Sequence, residues 1–450
     1  MPPIAHGYRA RPFTHSTRPV SLLPTLRLIK TSCTTPAVSA ISTANGATKK
    51  HRVVFLGTPE VAADVLRELL AASQQPDSLF EVCLVVSQPG KPRGRGHRSS
   101  APPPSPVEAV ARDSGLLGPE GVVCPQRAKE ESFLRLIEEL QPDLAITAAY
   151  GNMLPQRFLD APRYGTLNIH PSLLPRYRGA APVQRALQDG VSETGVSVAY
   201  TVLACDAGPV LAQQRVPVDP DVQAPELLSH LFQQGTRLLL RELPEVLAGR
   251  GRQRAVEQDE SQVLHANKLT REEAVLPLLS LPAAQLHNRV RAFAGWPGSV
   301  ARLALWDEAS DALEPLDLKI VRTRAPSASS PASPPSSPST TSSQAPGHDG
   351  ICTTPQQQQQ QQQQPPQQNS EEEQQNGEDE YEDQYEDVAF SGDAMLLPCA
   401  GGTVLEVLQV QPPTKKVMSA KDFRNGLRWK RLLAPLFDEG EASCDEDGAL

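Results

Sequence analysis

HRVVFLGTPE, residues 51–60, is the stretch that indicates the fold class. The run 53–56 is apolar throughout, which predicts a buried strand, and Gly57 ends it. Thr58 offers a side-chain oxygen to cap a helix, and Pro59 presets the backbone dihedral of its first turn. The helix that follows carries an apolar face at helical spacing, formed by Val61, Val65, Leu66 and Leu69. A strand that leads directly into a helix is the repeating unit of an α/β fold.

Further apolar runs predict strands at 81–86, 143–149, 165–169 and 196–202, and a helix is predicted at 224–247. Because these runs are apolar on both faces, they favour a Rossmann-like, mostly parallel sheet with helices on both sides. Gly57 is not followed by the further glycines that let a pyrophosphate approach the backbone, so no dinucleotide is expected. A ligand is expected at the carboxyl ends of the last three strands, near Tyr150, His170 and Leu203.

The formal net charge of −9 belongs to the ends and loops of the chain. Sixteen of the 52 carboxylates lie in two runs, 371–387 and 438–450. The first 50 residues hold seven of the 43 Lys and Arg residues and no acid, and they are rich in Ser and Thr. Such a leader is typical of an organellar transit peptide and predicts a mitochondrial matrix or plastid stroma protein. A disordered N-terminus has a similar composition.

Composition also excludes several classes of protein. The seven cysteines include no Cys-x-x-Cys pair, which predicts reduced thiols and no metal site. No apolar run reaches the length of a membrane span, so no membrane partner is expected.

Composition and apolar patterning divide the chain into a leader (1–50), an α/β domain (51–248), a Gly/Arg-rich linker (249–275), a C-terminal domain (276–437) and an acidic tail (438–450). In the C-terminal domain, a helix with Leu286, Val290 and Phe293 precedes strand-like runs at 300–305, 318–321 and 404–410, which predict a small OB-like β-barrel. A Pro/Ser, polyglutamine and acidic tract at 324–388 interrupts it and is predicted to be a disordered insertion.

GTLNIHPSLLP, residues 165–175, carries the candidate chemistry. Asn168 and His170 are two residues apart on one predicted strand, so both side chains lie on the same face at its carboxyl end. An amide donor beside an imidazole suits acyl transfer, in which a carbonyl oxygen gains charge and an amine loses a proton. Spacing alone is equally consistent with a polar pair that is satisfied at a strand end.

This segment resembles the active-site strand of the 10-formyltetrahydrofolate-dependent formyltransferases, which carries Asn-x-His followed by Ser-Leu-Leu-Pro. FLGTPE at 55–60, QPGKPRGRG at 88–96, the pair Tyr150 and Gly151, and the run 176–184 are similar to the methionyl-tRNA formyltransferase family. The resemblance covers about residues 52–428, without the insertion. It implies a formyltransferase with 10-formyltetrahydrofolate as cosubstrate and no metal.

The same resemblance implies catalytic roles for Asn168, His170 and Asp206. Asp206 keeps the position of the first carboxylate in the family's Leu-Asp-Thr-Gly-Asp loop. Ala207 and Pro209 replace the hydroxyl and the second carboxylate of that loop, so the sequence does not show which hydrogen bonds support it. A simple turn residue is the alternative for Asp206. The folate-binding turn is expected at Ser172, Leu173, Leu174 and Pro175.

The expected partner is initiator methionyl-tRNA, bound by a monomer that binds no DNA. The resemblance assigns tRNA contacts to cationic residues in two segments, Lys91, Arg93, Arg95, Arg98, Lys415 and Lys416. Glycinamide ribonucleotide formyltransferases, amino-sugar formyltransferases and formyltetrahydrofolate hydrolases share the catalytic triplet, but the basic loop and the C-terminal domain favour tRNA. A catalytically weakened tRNA- or folate-binding protein is the alternative from another class.

Overall fold

The computed structural model describes residues 49–91, 102–325 and 384–436. The first part of the chain contains strands β1 (His51–Gly57), β2 (Phe80–Val86), β3 (Val122–Val123), β4 (Leu144–Ala148), β5 (Thr166–His170), β6 (Arg178–Gly179), β7 (Glu193–Tyr200), β8 (Val210–Pro217) and β9 (His265–Ala266). Its helices are α1 (Glu60–Ser73), α2 (Pro106–Asp113), α3 (Glu131–Leu140), α4 (Gln156–Leu159), α5 (Pro182–Gln188), α6 (Ala224–Leu247) and α7 (Gly251–Arg254).

Within these described ranges, seven strands form one sheet in the order β3-β2-β1-β4-β5-β7-β8. Side chains of β1 alternate between two cores: Val53 and Phe55 pack on the side of α1, α2 and α6, and Val54 and Leu56 pack on the side of α3 and α4. The Rossmann-like sheet with helices on both faces is therefore confirmed. Burial of such side chains contributes about 1.5–3 kcal/mol each, which is the main favourable term for this half.

The direction of β7 corrects the sequence analysis. The strands β1 to β5 pair in parallel, but β7 is antiparallel to β5 and β8 is antiparallel to β7. The chain enters β7 at the carboxyl edge of β5, since His170 at the end of β5 pairs with Ser197, and the four residues of β7 before Ser197 lie beyond that end. Consequently Leu203 follows the end of β7 at the opposite edge of the sheet, where Tyr200 pairs with Leu167.

The predicted cap of α1 is also wrong. The helix begins at Glu60 with Pro59 as its N-cap residue, one position later than expected, and no side chain caps it. The Thr58 hydroxyl donates instead to the Tyr150 carbonyl at 3.0 Å. Thr58 therefore ties the β1–α1 turn to the end of β4, beside the edge where ligands of open α/β sheets bind.

The C-terminal part contains α8 (Ala283–Ala292), β10 (Ser299–Asp307), β11 (Ala312–Thr323), β12 (Tyr385–Asp387), β13 (Ala389–Ser391), β14 (Ala394–Cys399), β15 (Thr403–Gln411), β16 (Met418–Ser419), α9 (Ala420–Leu427) and β17 (Lys430–Pro435). Its strands pair antiparallel in the order β12-β17-β10-β11-β15-β14-β13, with β16 on β15, and curl into a nearly closed barrel. The three predicted strand runs correspond to β10, β11 and β15, and α8 covers the barrel core.

The predicted insertion is too long at its C-terminal end. Residues 385–387 form β12 on β17, and Val388 is buried and donates its N–H to the Leu432 carbonyl at 2.8 Å. Backbone pairing and burial of Val388 outweigh the polar composition of the preceding acidic run. The remainder of the insertion, the acidic tail and nearly all of the leader lie outside the described residues.

Residues 249–275, the predicted linker, contact the loops of the first sheet. Strand β9 pairs in parallel with β6, and Val256 exchanges two backbone hydrogen bonds with Val210. In the part of the chain that the structure describes, none of the helices has the length and apolarity needed to cross a membrane.

His287 on α8 joins the two parts of the protein, and its titration gives a testable pH dependence. The ring is buried, with Nδ1 2.8 Å from the Thr323 hydroxyl and Nε2 2.9 Å from the Pro220 carbonyl. Burial lowers the pKa of His287 below its ordinary 6.5; nearby Arg291 acts in the same direction and Asp221 opposes them.

Because the folded state disfavours protonated His287, the unfolded state binds more protons as the pH falls below about 6.5. We expect the protein to lose stability in that range, by at most about 1.4 kcal/mol per pH unit from this group. His287→Gln should flatten the dependence of the melting temperature between pH 7.5 and 5.5. The exposed His230 on α6 supplies the control, His230→Gln, and equal slopes in the two variants would contradict the prediction.

Candidate active site

Asn168 is held on β5 by the neighbouring strand. Thr147 on β4 pairs in register with Asn168, and its hydroxyl donates to Asn168 Oδ1 at 2.8 Å. An amide whose oxygen accepts this bond presents its nitrogen on the other side, and Nδ2 lies 3.5 Å from Asp206 Oδ1, the long limit of a hydrogen bond. One or both N–H groups of Asn168 can therefore donate to a ligand oxygen.

His170 is buried at the end of the same strand, with 4% of its surface exposed. Its Nε2 lies 3.0 Å from the Tyr177 carbonyl oxygen. Because a carbonyl only accepts hydrogen bonds, Nε2 carries a hydrogen in this arrangement. Nδ1 faces Asp206 Oδ1 at 3.6 Å. Nδ1 is therefore the nitrogen that can gain or lose a proton during a reaction.

Asp206 lies in the loop 201–209, which we call the Asp206 loop. This loop starts at the edge opposite His170 and returns over the sheet, so its carboxylate reaches both Asn168 and His170. The other carboxylate oxygen, Oδ2, accepts the Gly179 backbone N–H at 2.9 Å. The structure thus brings together the three residues expected to be catalytic, with an amide, an imidazole and a carboxylate facing one another.

Ala207 and Pro209 lack the side-chain groups that support the corresponding loop in the family. In this structure other residues support the Asp206 loop. The side chain of Gln258 donates to the backbone carbonyls of Asp206 and Gly208, both at 2.7 Å. Gln258 in turn accepts a hydrogen bond from Arg178 Nε at 2.9 Å. The loop is therefore held from outside by residues far away in sequence.

Only part of the turn 172–175, which is expected to bind folate, is exposed. Ser172 is buried and its hydroxyl donates to the Arg176 carbonyl at 2.7 Å, and Leu174 is buried as well. Leu173 and Pro175 are partly exposed. A ligand at this turn can therefore meet these two side chains and the backbone, while Ser172 and Leu174 stabilise the turn.

Two polar residues fix that turn to the antiparallel strands. The Ser197 hydroxyl on β7 donates to the Ser172 carbonyl at 2.7 Å and accepts the Leu174 N–H at 3.1 Å. Gln213 on β8 donates to the Leu174 carbonyl at 2.8 Å. The turn is thus fixed against the strands that run opposite to β5.

Of the six cationic residues expected to contact tRNA, the structure describes Lys91, Lys415 and Lys416. Lys91 is exposed at the end of the first described range, and Arg93, Arg95 and Arg98 lie outside the described residues. Lys415 and Lys416 are exposed on the turn between β15 and β16, in the barrel. Their cationic side chains are available to a polyanion.

Sequence reasoning missed Thr147, Tyr177, Gly179 and Gln258. Thr147 had a usable signal, a hydroxyl inside an otherwise apolar strand. Tyr177 and Gly179 act through a backbone carbonyl and a backbone N–H. Every residue carries these groups, so only the fold can identify them.

Cys205 is exposed beside the Asp206 carboxylate, its Sγ 3.5 Å from Asp206 Oδ2. Partial burial and the negative charge of Asp206 raise the pKa of the Cys205 thiol to about 11. Since the thiolate is the reactive species, we expect slow alkylation by iodoacetamide at pH 7.5 and faster alkylation as the pH approaches 11. Peptide mass spectrometry measures the rate, and Asp206→Asn should accelerate it. Rapid labelling at pH 7.5 in both proteins would contradict this expectation.

The chain is similar in sequence to known formyltransferases. Residues 51–243 match the family model described as formyl transferase. A methionyl-tRNA formyltransferase of Thermus thermophilus is 43% identical over 251 residues, which cover 55% of this chain and 75% of that protein. That of Neisseria meningitidis serogroup B is 40% identical over 243 residues, covering 54% and 74%. Among solved structures, HypX from Aquifex aeolicus in complex with tetrahydrofolic acid is 13% identical with a TM-score of 0.47, covering 84% of this chain and 48% of that one.

The sequence matches, which agree with the observed sheet, define the class: the protein is a formyl-transferring enzyme. The 43% identity to the Thermus protein, over 75% of that protein's length, identifies the family within this class. The chain belongs to the methionyl-tRNA formyltransferase family.

Proposed function

We propose that the protein transfers the formyl group of 10-formyltetrahydrofolate to the free amino group of methionyl-tRNA, for initiation of translation in an organelle. The observation that carries the proposal is the meeting of Asn168 Nδ2, His170 Nδ1 and the Asp206 carboxylate, with Asp206 Oδ1 3.5 and 3.6 Å from the two nitrogens. This set supplies an oxyanion donor, a proton carrier and an anion beside it, the groups that acyl transfer to an amine requires.

The donor set fits a formyl-folate. When bound, 10-formyltetrahydrofolate supplies an activated formyl carbonyl. Asn168 Nδ2 is fixed in direction by Thr147 and retains N–H capacity for the carbonyl oxygen. The backbone of the turn 172–175 and the partly exposed Leu173 and Pro175 would hold the folate ring.

His170 and Asp206 manage the proton that the attacking amine loses. His170 Nδ1 would take that proton as the amine bonds to the formyl carbon, and would return it to the departing N10 of the folate as the bond between the formyl carbon and N10 breaks. Nε2 does not serve in this role, because it already donates to the Tyr177 carbonyl. The resulting imidazolium then faces the Asp206 carboxylate at 3.6 Å, which stabilises it in a buried site. Asp206 itself remains an anion that orients the ring.

The choice of acceptor rests on family membership and on the cationic segments. Lys91 and the residues Arg93, Arg95 and Arg98 would contact phosphates of the acceptor end, and Lys415 and Lys416 would add contacts from the barrel. Neutralised phosphates release counterions, so affinity should fall steeply as salt rises. The initiator form of methionyl-tRNA is the proposed substrate.

An acceptor panel tests the proposed reaction. The purified chain without residues 1–48 is mixed with 10-formyltetrahydrofolate and, separately, initiator methionyl-tRNA, elongator methionyl-tRNA, glycinamide ribonucleotide and a nucleotide-linked amino sugar. Formylation of initiator methionyl-tRNA far above the others is the expected result. Preferential formylation of a small amine, or hydrolysis of the folate alone, would overturn the proposed acceptor.

The organellar context is proposed from the acid-free leader, which contains seven Lys and Arg residues in its first 50 positions. Residues 1–50 fused to a fluorescent protein should direct it to mitochondria, plastids or both. A fusion that stays in the cytosol would contradict this part of the proposal without touching the reaction.

A further inference from the structure

Gln258 lies between α7 and β9, remote in sequence from β5 and from the Asp206 loop, yet it contacts that loop twice. Its Nε2 lies 2.7 Å from the Asp206 carbonyl oxygen and 2.7 Å from the Gly208 carbonyl oxygen. An amide group has two N–H donors, so one side chain satisfies both carbonyls. These bonds bracket Ala207, which lies between the two residues.

The orientation of the Gln258 amide is determined by Arg178. Arg178 Nε donates to Gln258 Oε1 at 2.9 Å, and a guanidinium can only donate, so the amide nitrogen must face the loop. Arg178 is 7% exposed, and its other nitrogens pair with both carboxylate oxygens of Glu260 at 3.1 and 2.8 Å. The donor that reaches the loop is therefore itself held in place by a bidentate ion pair.

The Asp206 loop needs such support because its backbone is unusual. Asp206 has φ of 51°, a left-handed conformation that non-glycine residues adopt rarely. At Gly208 a Cβ would lie 1.8 Å from the Tyr200 carbonyl oxygen, so the backbone approaches β7 too closely for a side chain. A loop with this geometry depends on contacts from neighbouring segments to keep one conformation.

Strand β6 connects the two ends of the support. Gly179 donates its N–H to Asp206 Oδ2 at 2.9 Å, and the adjacent Arg178 holds Gln258. The carboxylate and the backbone of Asp206 are thus both tied to β6, one directly and one through Gln258. The position of the carboxylate relative to His170 is consequently set by residues 178–179 and 258.

We infer that Gln258 is a positioning residue for formyl transfer: it keeps the Asp206 carboxylate at the distance from His170 Nδ1 that turnover requires. The inference rests on the proposed function. It also means that the match to the formyl transferase family model, which ends at residue 243, does not include every residue that builds the site.

Gln258→Glu is the decisive substitution, because it keeps the shape and the acceptor for Arg178 but places an oxygen against two carbonyl oxygens. We expect kcat to fall at least about tenfold, since misplacement of a reacting group by about 1 Å can cost a hundredfold. The KM values for folate and methionyl-tRNA should change less than about threefold, since uniform binding is left intact. Gln253→Glu, a substitution at an exposed residue of α7 in the same segment, is the matched control and should behave as wild type.

A double-mutant cycle separates positioning from general damage. In the Asp206→Asn background the carboxylate is already absent, so Gln258→Glu should lower kcat by less than about threefold more. A residue that merely stabilises the fold would reduce kcat by the same factor in both backgrounds. If the Glu variant is poorly folded by circular dichroism, Gln258→Met removes the donor without the repulsion and carries the same expectation.

The outcomes distinguish the two proposals. If the wild-type chain formylates methionyl-tRNA and Gln258→Glu matches Gln253→Glu, or if the two losses multiply independently, the positioning role is wrong and the proposed function stands. Absence of formylation by the wild-type chain overturns the proposed function and this inference with it. A selective, non-additive loss of kcat supports both.

Discussion

His170→Ala is expected to lower kcat for formylation of methionyl-tRNA at least about a hundredfold, equivalent to about 2.7 kcal/mol of transition-state stabilisation. The reason is that Nδ1 is the one ring nitrogen free to take the amine proton, because Nε2 donates to Tyr177. Removal of the ring leaves the Asp206 carboxylate without its partner. The measurement is steady-state formylation, with folding checked by circular dichroism.

Two comparisons make this result specific. His230→Ala removes an exposed imidazole from α6 and should retain wild-type turnover. Asp206→Ala should also lose at least about a hundredfold, and the double variant should be little worse than the poorer single variant, because groups that act as one unit are not additive. Near-normal turnover of both single variants would end the proposed mechanism.

Asn168→Asp is expected to have a similarly large effect for a different reason. The substitution is isosteric and keeps the acceptor for Thr147, but it replaces the N–H donor by an oxygen that faces Asp206 at about the same place. Loss of one oxyanion donor typically costs about 2.7–4 kcal/mol, a factor of about a hundred to a thousand in kcat. The added negative charge opposes the developing oxyanion further.

Asn267→Asp provides the matched control, since Asn267 is exposed just after β9. It introduces the same change of charge and should leave kcat unaltered. If Asn168→Asp retained more than about a tenth of wild-type kcat while remaining folded, Asn168 would not be the oxyanion donor.

The sequence predicted those parts of the fold that depend on the pattern of neighbouring residues. The runs at 53–56 and 224–247 predicted β1 and α6 because apolar periodicity reflects burial of successive side chains. The same reasoning failed for the direction of β7, since an apolar run reads alike in a parallel and an antiparallel strand. The prediction of Thr58 as the cap of α1 was wrong because the helix begins one residue later than expected, so that Pro59 occupies the N-cap position.

The sequence likewise predicted those parts of the candidate site that have a local signal. Alternation along a strand placed Asn168 and His170 on one face, and the family resemblance added Asp206, which is 38 residues from Asn168. Gln258 is 52 residues from Asp206, and its hydrogen bonds to the Asp206 loop go to backbone carbonyls. Such a contact leaves no pattern in the sequence, because the atoms it touches are present at every residue.

The amino-acid sequence by itself determined the α/β sheet, the barrel that follows, and the placement of Asn168 and His170 on one face of β5. These features follow from the local periodicity of apolar and polar residues, which can be read from the sequence without the tertiary structure. Only the tertiary structure decided which nitrogen of His170 faces Asp206 and which residue holds the Asp206 loop. Both depend on distances between segments that are remote along the chain, and those distances exist only once the hydrophobic cores have packed.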